Sequence, residues 1–419
     1  MTLTAEILSI GDELVHGALL DTNARWLARV LEEHGASVAR MTVVGDEPAP
    51  LQAAMADACA RADLVVATGG IGPTLDDRTR EVAAAIAGGP LWFDADSWRA
   101  IEQYLLVRKR PVPASNRTQA MFPPGAAVLQ NPIGTAPGFR VHLRRAELFA
   151  LPGVPREMQR MTEDQVVPWL AARSGRQPTA HHCLFVLGPS EALLGERIAA
   201  FMHAGREPAV GITASAGLLT IRIVGRAGAA AAAAAACEAT AAELRPLLGD
   251  WCFAEGNGPL PELVGRRLLA AGTTVAFAES CTGGLAAAQL TDLPGISAVF
   301  RGGVVAYADA AKTELLGVDA ELIRRHGAVS EPVAAAMALG AANRLHAELA
   351  VATTGIAGPA GGSADKPVGT VCFGIARGAA VRAYTLRIPD LGRTFVRDRA
   401  VMEVFAAILR SLAGDASAP

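Results

Sequence analysis

Short β-branched runs such as Leu64-Val65-Val66-Ala67 alternate along the chain with amphipathic stretches such as Asn23 to His34. Strands separated by helix-length segments predict layered α/β domains with a largely parallel sheet. The pattern runs from Leu3 to about Leu170 and returns from about residue 255 to Ala413. Between the two lies a shorter section: a strand at Cys183–Leu187, a helix at Ser190–Met202 begun by Pro-Ser, a strand at Leu218–Val224 and an Ala-rich helix at Ala229–Leu244. Two turn-rich stretches, RSGRQPTA (173–180) and EGNGPLP (255–261), read as separators, and the final GDASAP reads as a frayed end. The expected architecture is α/β, with two three-layer α/β/α domains, 1–172 and 255–419, joined by a small α+β domain at 173–254.

Composition fits this picture. A chain of 419 residues is too long for one ordinary core, and 51% apolar content reads as globular. The formal net charge of −3 supplies no field for non-specific nucleic-acid binding, and RKR at 108–110 reads as a solvated helix end. The first residues lack the basic start and apolar stretch of a signal peptide, and the alanine run at 229–236 is too short to span a membrane. Six cysteines form no CxxC pair and eight histidines show no metal-ligand spacing, which predicts reduced thiols in a cytoplasm. The small middle section is similar to an RNA-binding KH domain. It is read as lacking that module's backbone-gripping GxxG loop, and so as structural, with no direct nucleic-acid partner expected.

The most informative segment is Thr273-Thr274-Val275-Ala276-Phe277-Ala278-Glu279-Ser280-Cys281-Thr282-Gly283-Gly284-Leu285. An apolar run ends in a Ser-Cys-Thr-Gly-Gly turn, and an Ala-rich helix follows directly. Ser280 is expected at a strand-to-helix junction, where first-turn N–H groups face a developing oxyanion or a phosphate. A helix-capping role for Ser280 or Thr282 fits the same pattern. A serine nucleophile needs a base, and no histidine is near. Lys312, five residues beyond Tyr307, can serve if it is neutral, with the tyrosine hydroxyl relaying a proton or orienting the serine. Cys281 is the rival nucleophile. The Gly-rich run from Thr354 through Gly355, Gly358 and Gly361 to Thr370 suits either a wrap around a polar ligand or a plain surface loop.

These motifs resemble the CinA C-terminal family, the nicotinamide-nucleotide amidohydrolases: AESCTGG, YADAAKTELLGV, HGAVSEPV (326–333) and TGIAGPAGGSADKPVGTV (354–371) occur in order. The resemblance implies Ser280 as nucleophile, Lys312 as general base and Tyr307 as its assistant. It implies substrate contacts from Thr282, Gly283, Gly284, Gly355, Gly358 and Gly361, and no cofactor. The implied reaction takes nicotinamide mononucleotide and water to nicotinic acid mononucleotide and ammonia. One position departs: the family reads Tyr-Ser-Asn where this chain has Tyr307-Ala308-Asp309.

Near the N-terminus, the run from Thr68 through Gly69, Gly70, Gly72 and Thr74 to Asp76 and Asp77 follows a strand and precedes a helix, as a phosphate site does. Asp12, Glu13 and Asp46 stand after other strands, where ligands of open α/β sheets bind. With GDELVHGALLDTNARWLA (11–28), NPIGTAPGF (131–139) and LPGVPREM (151–158), this section resembles the molybdopterin-binding domain shared by CinA proteins and molybdenum-cofactor enzymes. The resemblance implies binding by Asn23, Gly69, Gly70, Gly72, Thr74, Asp77, Pro152 and Gly153. It also implies a divalent metal, Mg²⁺ or similar, at Asp12, Asp46, Asp76 and Asp77, and ADP-ribose pyrophosphatase activity. Pterin binding without hydrolysis is the alternative. The full layout implies a homodimer acting on pyridine nucleotides. The competing class is a non-catalytic partner protein in DNA uptake or repair.

Overall fold

The computed structural model describes residues 3–173, 175 and 179–414. Half of the 173–180 separator (174 and 176–178) and all but the first residue of GDASAP therefore lie outside the described residues. The chain divides into two compact units, 1–179 and 180–419.

The first unit is built on a six-stranded sheet of β1 (Leu3–Ile10), β2 (Ala36–Val44), β3 (Leu64–Thr68), β4 (Ala127–Leu129), β5 (Gly138–Leu143) and β6 (Ala146–Leu151), in the order β2-β1-β3-β6-β5-β4. The first four strands in that order run parallel, β5 is antiparallel to β6, and β4 is antiparallel to β5. Every residue of β3 is buried, as expected of a parallel strand covered on both faces. Its alternation sends Leu64 and Val66 toward helix α1 (Thr22–Glu33), and Val65 and Ala67 toward α2 (Pro48–Arg61) and α3 (Thr79–Ala87). Helix α1 starts where Asp21 accepts the Ala24 amide at 2.9 Å, and it buries Leu27 and Leu31 completely. Each such leucine contributes about 1.5–3 kcal/mol. Gly88, left-handed at φ +80°, ends α3. Helix α4 (Ala95–Val107) stops before Arg108, so the 108–110 basic run is indeed a helix end.

In the second unit, β7 (Thr179–Val186), β8 (Ala209–Ser215), β9 (Leu218–Arg226) and β10 (Cys252–Gly256) form a four-stranded sheet in the order β8-β9-β7-β10. Helices α5 (Glu191–Arg197) and α6 (Ala230–Leu248) pack on it. Sequence reading misses β8 and β10: β8 buries none of its residues and so carries no apolar alternation. The reading of no GxxG also needs correcting, since Gly225-Arg226-Ala227-Gly228 is one. Here it sits at a strand-to-helix turn, and a Cβ on Gly225 would lie 2.8 Å from Cys237 Sγ. Close packing of α6 accounts for that glycine.

The remaining sheet comprises β11 (Val275–Glu279), β12 (Phe300–Val305), β13 (Leu349–Gly355), β14 (Thr370–Arg377) and β15 (Ala380–Arg387), in the order β12-β11-β13-β14-β15. The first three are parallel, β14 is antiparallel to β13, and β15 is antiparallel to β14. Phe277, Val351 and Phe373 share one core with α7 (Leu260–Ala271), α8 (Leu285–Thr291) and α11 (Arg393–Leu412). On the other face Ala276, Ala278, Ala350 and Ala352 are small, which lets α9 (Asp309–Leu316) and α10 (Glu331–Leu345) approach closely. A Cβ on Gly374 would sit 2.0 Å from the Ala334 carbonyl of α10. This layering brings the carboxyl ends of β11, β12 and β13 together, at the edge where open α/β sheets bind ligands. No described helix is long and apolar enough to cross a membrane.

Candidate active sites

Ser280 follows β11 directly and is 7% exposed. Its amide donates to Thr353 O at 3.0 Å, so the ladder with β13 continues one residue past the strand. The turn behind it is made possible by Gly283 and Gly284, both left-handed at φ +61° and +90°. The expected bank of free helix-start amides is not free. Glu279, 2% exposed, accepts from Gly284 N (2.9 Å), Ala286 N (3.2 Å) and Ala287 N (2.9 Å). Gly283 N bonds Ser280 O, and Leu285 N bonds Thr282 O. The chain supplies its own anion there, because a buried carboxylate and a helix start satisfy each other. Neither Ser280 nor Thr282 caps the helix: no side chain bonds its first amides except that of Glu279.

Lys312 lies in the first turns of α9 with only 1% exposure. Its Nζ donates to Tyr307 O at 3.2 Å and to Asp309 Oδ1 at 3.3 Å. Tyr307 is tied to the same sheet end, since the preceding Ala306 N bonds Glu279 O at 2.9 Å. Lys312 and Ser280 thus belong to one end and one face of the sheet, with no direct hydrogen bond between Nζ and Oγ. The tyrosine hydroxyl does not sit beside the lysine as expected. It accepts from Arg393 Nη2 at 2.7 Å, and only the Tyr307 carbonyl reaches Lys312.

Cys281 points the other way, into the core with Thr353. Burial pushes its thiol up to about 12, which removes the thiolate a rival nucleophile needs. Thr282 is fully buried, its Oγ1 2.8 Å from Thr353 Oγ1. Gly355 is explained by packing, because a Cβ there would lie 2.8 Å from Val371 and 3.1 Å from Cys281 Sγ. Gly358 accepts Arg393 Nη1 at 2.9 Å, and Gly361 lies exposed in the loop at φ +94°. Sequence reading missed Glu279, Arg393 and Arg397. Glu279 had a signal, as an acid ending an apolar strand. The arginines had none: Arg393 meets Tyr307 across 86 residues and Arg397 meets Thr282 O across 115.

In the first unit the Gly-rich loop follows β3 as expected. Gly69 (φ +105°) passes so close to β1 that a Cβ would lie 2.1 Å from Ile10 O, and Gly70 (φ +63°) packs on Thr79. Asp77 accepts from Gly72 N (2.7 Å) and Thr74 N (2.8 Å), and also from the Thr74 hydroxyl. It staples the loop. Asn23 Nδ2 bonds Gly153 O (2.7 Å) and Thr68 Oγ1 (3.2 Å), while Thr68 Oγ1 donates to Pro152 O (2.9 Å). These residues do converge. Arg80, 4% exposed, joins Ile71 O (2.5 Å) to Pro137 O (2.9 Å), tying this loop to the 131–139 segment. Burial pulls its pKa down to about 10, against the opposing charge of Asp77.

Asp12 and Asp46 bond each other's amides, Asp12 N to Asp46 Oδ2 at 2.9 Å and Asp46 N to Asp12 Oδ1 at 3.1 Å. Burial raises the Asp46 pKa, and Asp12, Glu13 and Asp76 add to the effect. Among the described residues no group of three His, Cys, Asp or Glu side chains forms a ready metal-ligand set. The four proposed acids are therefore not one cluster: Asp12 and Asp46 pair, Asp76 is exposed, and Asp77 is committed to its loop.

Three family descriptions match consecutive stretches: a probable molybdopterin binding domain over residues 6–172, a damage-inducible protein CinA KH domain over 181–254 and a CinA C-terminal domain over 257–412. A Symbiobacterium thermophilum protein named for competence-damage induction is 42% identical over 98% of this chain and 99% of its own. A CinA-like protein of Anaeromyxobacter sp. is 45% identical over 90% of this chain and 91% of its own. A crystal structure of a competence-damaged protein superfamily member from Klebsiella pneumoniae is 36% identical, covering 37% of this chain and 96% of that one, with a TM-score of 0.36.

Proposed function

The chain belongs to the CinA family, and from that membership we propose that its C-terminal domain hydrolyses the amide of nicotinamide mononucleotide through Ser280. The supporting observation is a buried serine at a strand end with a buried lysine on the same face and sheet end. Ser280 Oγ attacks the amide carbon as Lys312 takes its proton. The lysine then returns a proton to the leaving nitrogen, ammonia departs, and water cleaves the acyl-enzyme to the carboxylate. Asp309, the acid bonded to Lys312, has a side chain 61% exposed and gives the ammonium proton a path to water. In this sequence that acid replaces the family's usual Asn. Arg393 ties the Tyr307 hydroxyl to the Gly358 loop, which makes Tyr307 a positioning residue in this reading. Turnover of nicotinamide mononucleotide with ammonia release, abolished in Ser280→Ala, tests the reading. Ammonia release surviving that change sinks it.

The N-terminal domain is read as acting on a pyrophosphate such as ADP-ribose. A divalent cation there needs only one or two carboxylates besides phosphate and water, so the Asp12–Asp46 pair, each with an oxygen to spare, fits it. When bound, it polarises a phosphoryl oxygen. The Gly69–Gly72 loop and Asn23 hold the ligand. Release of AMP from ADP-ribose, lost in Asp46→Asn, is the expected result.

A further inference from the structure

The four-stranded middle sheet is covered on both faces. Leu184 and Val186 of β7 turn toward α5 and α6, while the alternating Cys183, Phe185 and Leu187 enter the core that holds α7 and α11. Phe253 of β10 packs on the same core, its ring centroid 6.5 Å from that of Phe185. Apolar burial therefore fixes the middle domain to the long C-terminal helix.

Polar contacts fix it further. Glu403 of α11, 1% exposed, accepts Arg399 Nη1 (3.1 Å), Arg410 Nη1 (2.7 Å) and the Tyr384 hydroxyl of β15 (3.0 Å). A buried carboxylate with three donors is satisfied, and it holds both arginines in place. Arg399 lies against the β8–β9 turn, where a Cβ on Gly217 would sit 2.9 Å from its Cδ. The Arg410 guanidinium stands over the Phe253 ring, 5.8 Å from its centroid.

The other end of α11 reaches the serine. Arg393 and Arg397 stand one turn apart, and neither pairs with an acid among the described residues. Arg393 holds Tyr307 and Gly358, and Arg397 Nη2 donates to Thr282 O at 2.9 Å. That carbonyl also accepts Leu285 N, so it joins the glycine turn to the helix start. The guanidinium lies close over the turn, since a Cβ on Gly283 would be 3.6 Å from Arg397 Nη2. From Arg397 to Arg410 the helix rises about 20 Å as one continuous piece.

We infer that the middle domain is a positioning element of the Ser280 site and acts through α11. Packing at Phe253 sets where Arg397 stands, and Arg397 sets the Thr282 carbonyl and the glycine turn behind the serine. The inference rests on the deamidase reading for its kinetic readout, while the placement it asserts belongs to the fold.

A double-mutant cycle in the full chain, read as kcat for nicotinamide mononucleotide, tests it. Phe253→Ala lowers kcat about three- to tenfold with KM within about twofold of wild type. Arg397→Gln lowers kcat at least about tenfold, and Arg397→Lys recovers part of the loss. In the Arg397→Gln background, Phe253→Ala changes kcat by less than about twofold, because the contact it acts through is already cut. Equal fold-losses in both backgrounds mark Phe253 as merely structural and overturn the inference, as does wild-type kcat in folded Phe253→Ala. Phe253→Leu keeps the core filled and follows the same pattern with a smaller loss, so the cycle survives an alanine variant that does not fold. Should the wild type deamidate nothing, the deamidase reading fails and hydrogen exchange decides the placement. Amides of residues 280–287 then exchange at least about tenfold faster in Phe253→Ala or Phe253→Leu than in wild type. Unchanged protection there overturns the inference.

Discussion

The two strand-end loops are built alike and filled differently. In each, a Gly-rich turn gathers backbone amides before a helix, and in each a carboxylate of the same loop occupies them. In the first unit Asp77 lies inside the loop, partly exposed, and bonds Gly72 N and Thr74 N. In the second, Glu279 lies behind the turn, buried, and bonds three amides of the helix start. The position of the acid decides what remains for chemistry. Behind the turn, it locks the helix and leaves the Ser280 side chain, by alternation with Ala276 and Ala278, on the opposite face, where α9 and α10 pack. Within the turn, it shapes the loop and leaves the ligand to the Asp12–Asp46 pair and Asn23.

The largest expected effect tests whether that opposite face is where chemistry occurs. Ser280→Ala lowers kcat for deamidation by roughly 10³-fold or more, with unchanged circular dichroism. Next, the comparison itself can be broken through stability. Glu279→Ala leaves buried amides unpaired and costs about 3–5 kcal/mol in urea unfolding. Asp77→Ala, at a wetter site, costs about 1–2 kcal/mol. Equal losses would mean that the two acids do the same work.

Much of this was legible in the sequence. β3 and β11 read as buried strands because their apolar runs are uninterrupted, and α3 follows the Gly-rich run as expected and ends at Gly88. The convergence of Asn23, Pro152 and Gly153 followed from motifs. What failed has a physical reason. The Ser-Cys-Thr-Gly-Gly pattern announces free amides, but it does not say that the preceding glutamate folds back over them. Tyr307 and Lys312 looked like partners at five residues' spacing, yet Arg393 takes the hydroxyl through a contact no local pattern encodes. The edge strand β8 is too exposed to carry a pattern.

Smaller effects sharpen the site. Tyr307→Phe removes only the Arg393 bond and is expected to lower kcat about three- to tenfold, not to abolish it. Smallest is the effect of alkylation on the native chain. With its thiol pushed up to about 12, Cys281 is almost wholly protonated at pH 8, with a thiolate fraction on the order of 10⁻⁴. Iodoacetamide at that pH leaves Cys281 unmodified and activity intact until the chain is unfolded. A thiol pKa raised on folding favours the folded state below about pH 9, and that contribution is lost as pH climbs toward 12.

The central claim is that an acyl group is carried by the hydroxyl at the end of β11. Mass spectrometry of enzyme quenched during turnover of nicotinamide mononucleotide tests it directly. The account predicts a nicotinyl-mononucleotide adduct on the peptide containing AESCTGG, located at Ser280 and absent from Ser280→Ala. An adduct on Cys281, or ammonia release that persists in Ser280→Ala, contradicts it.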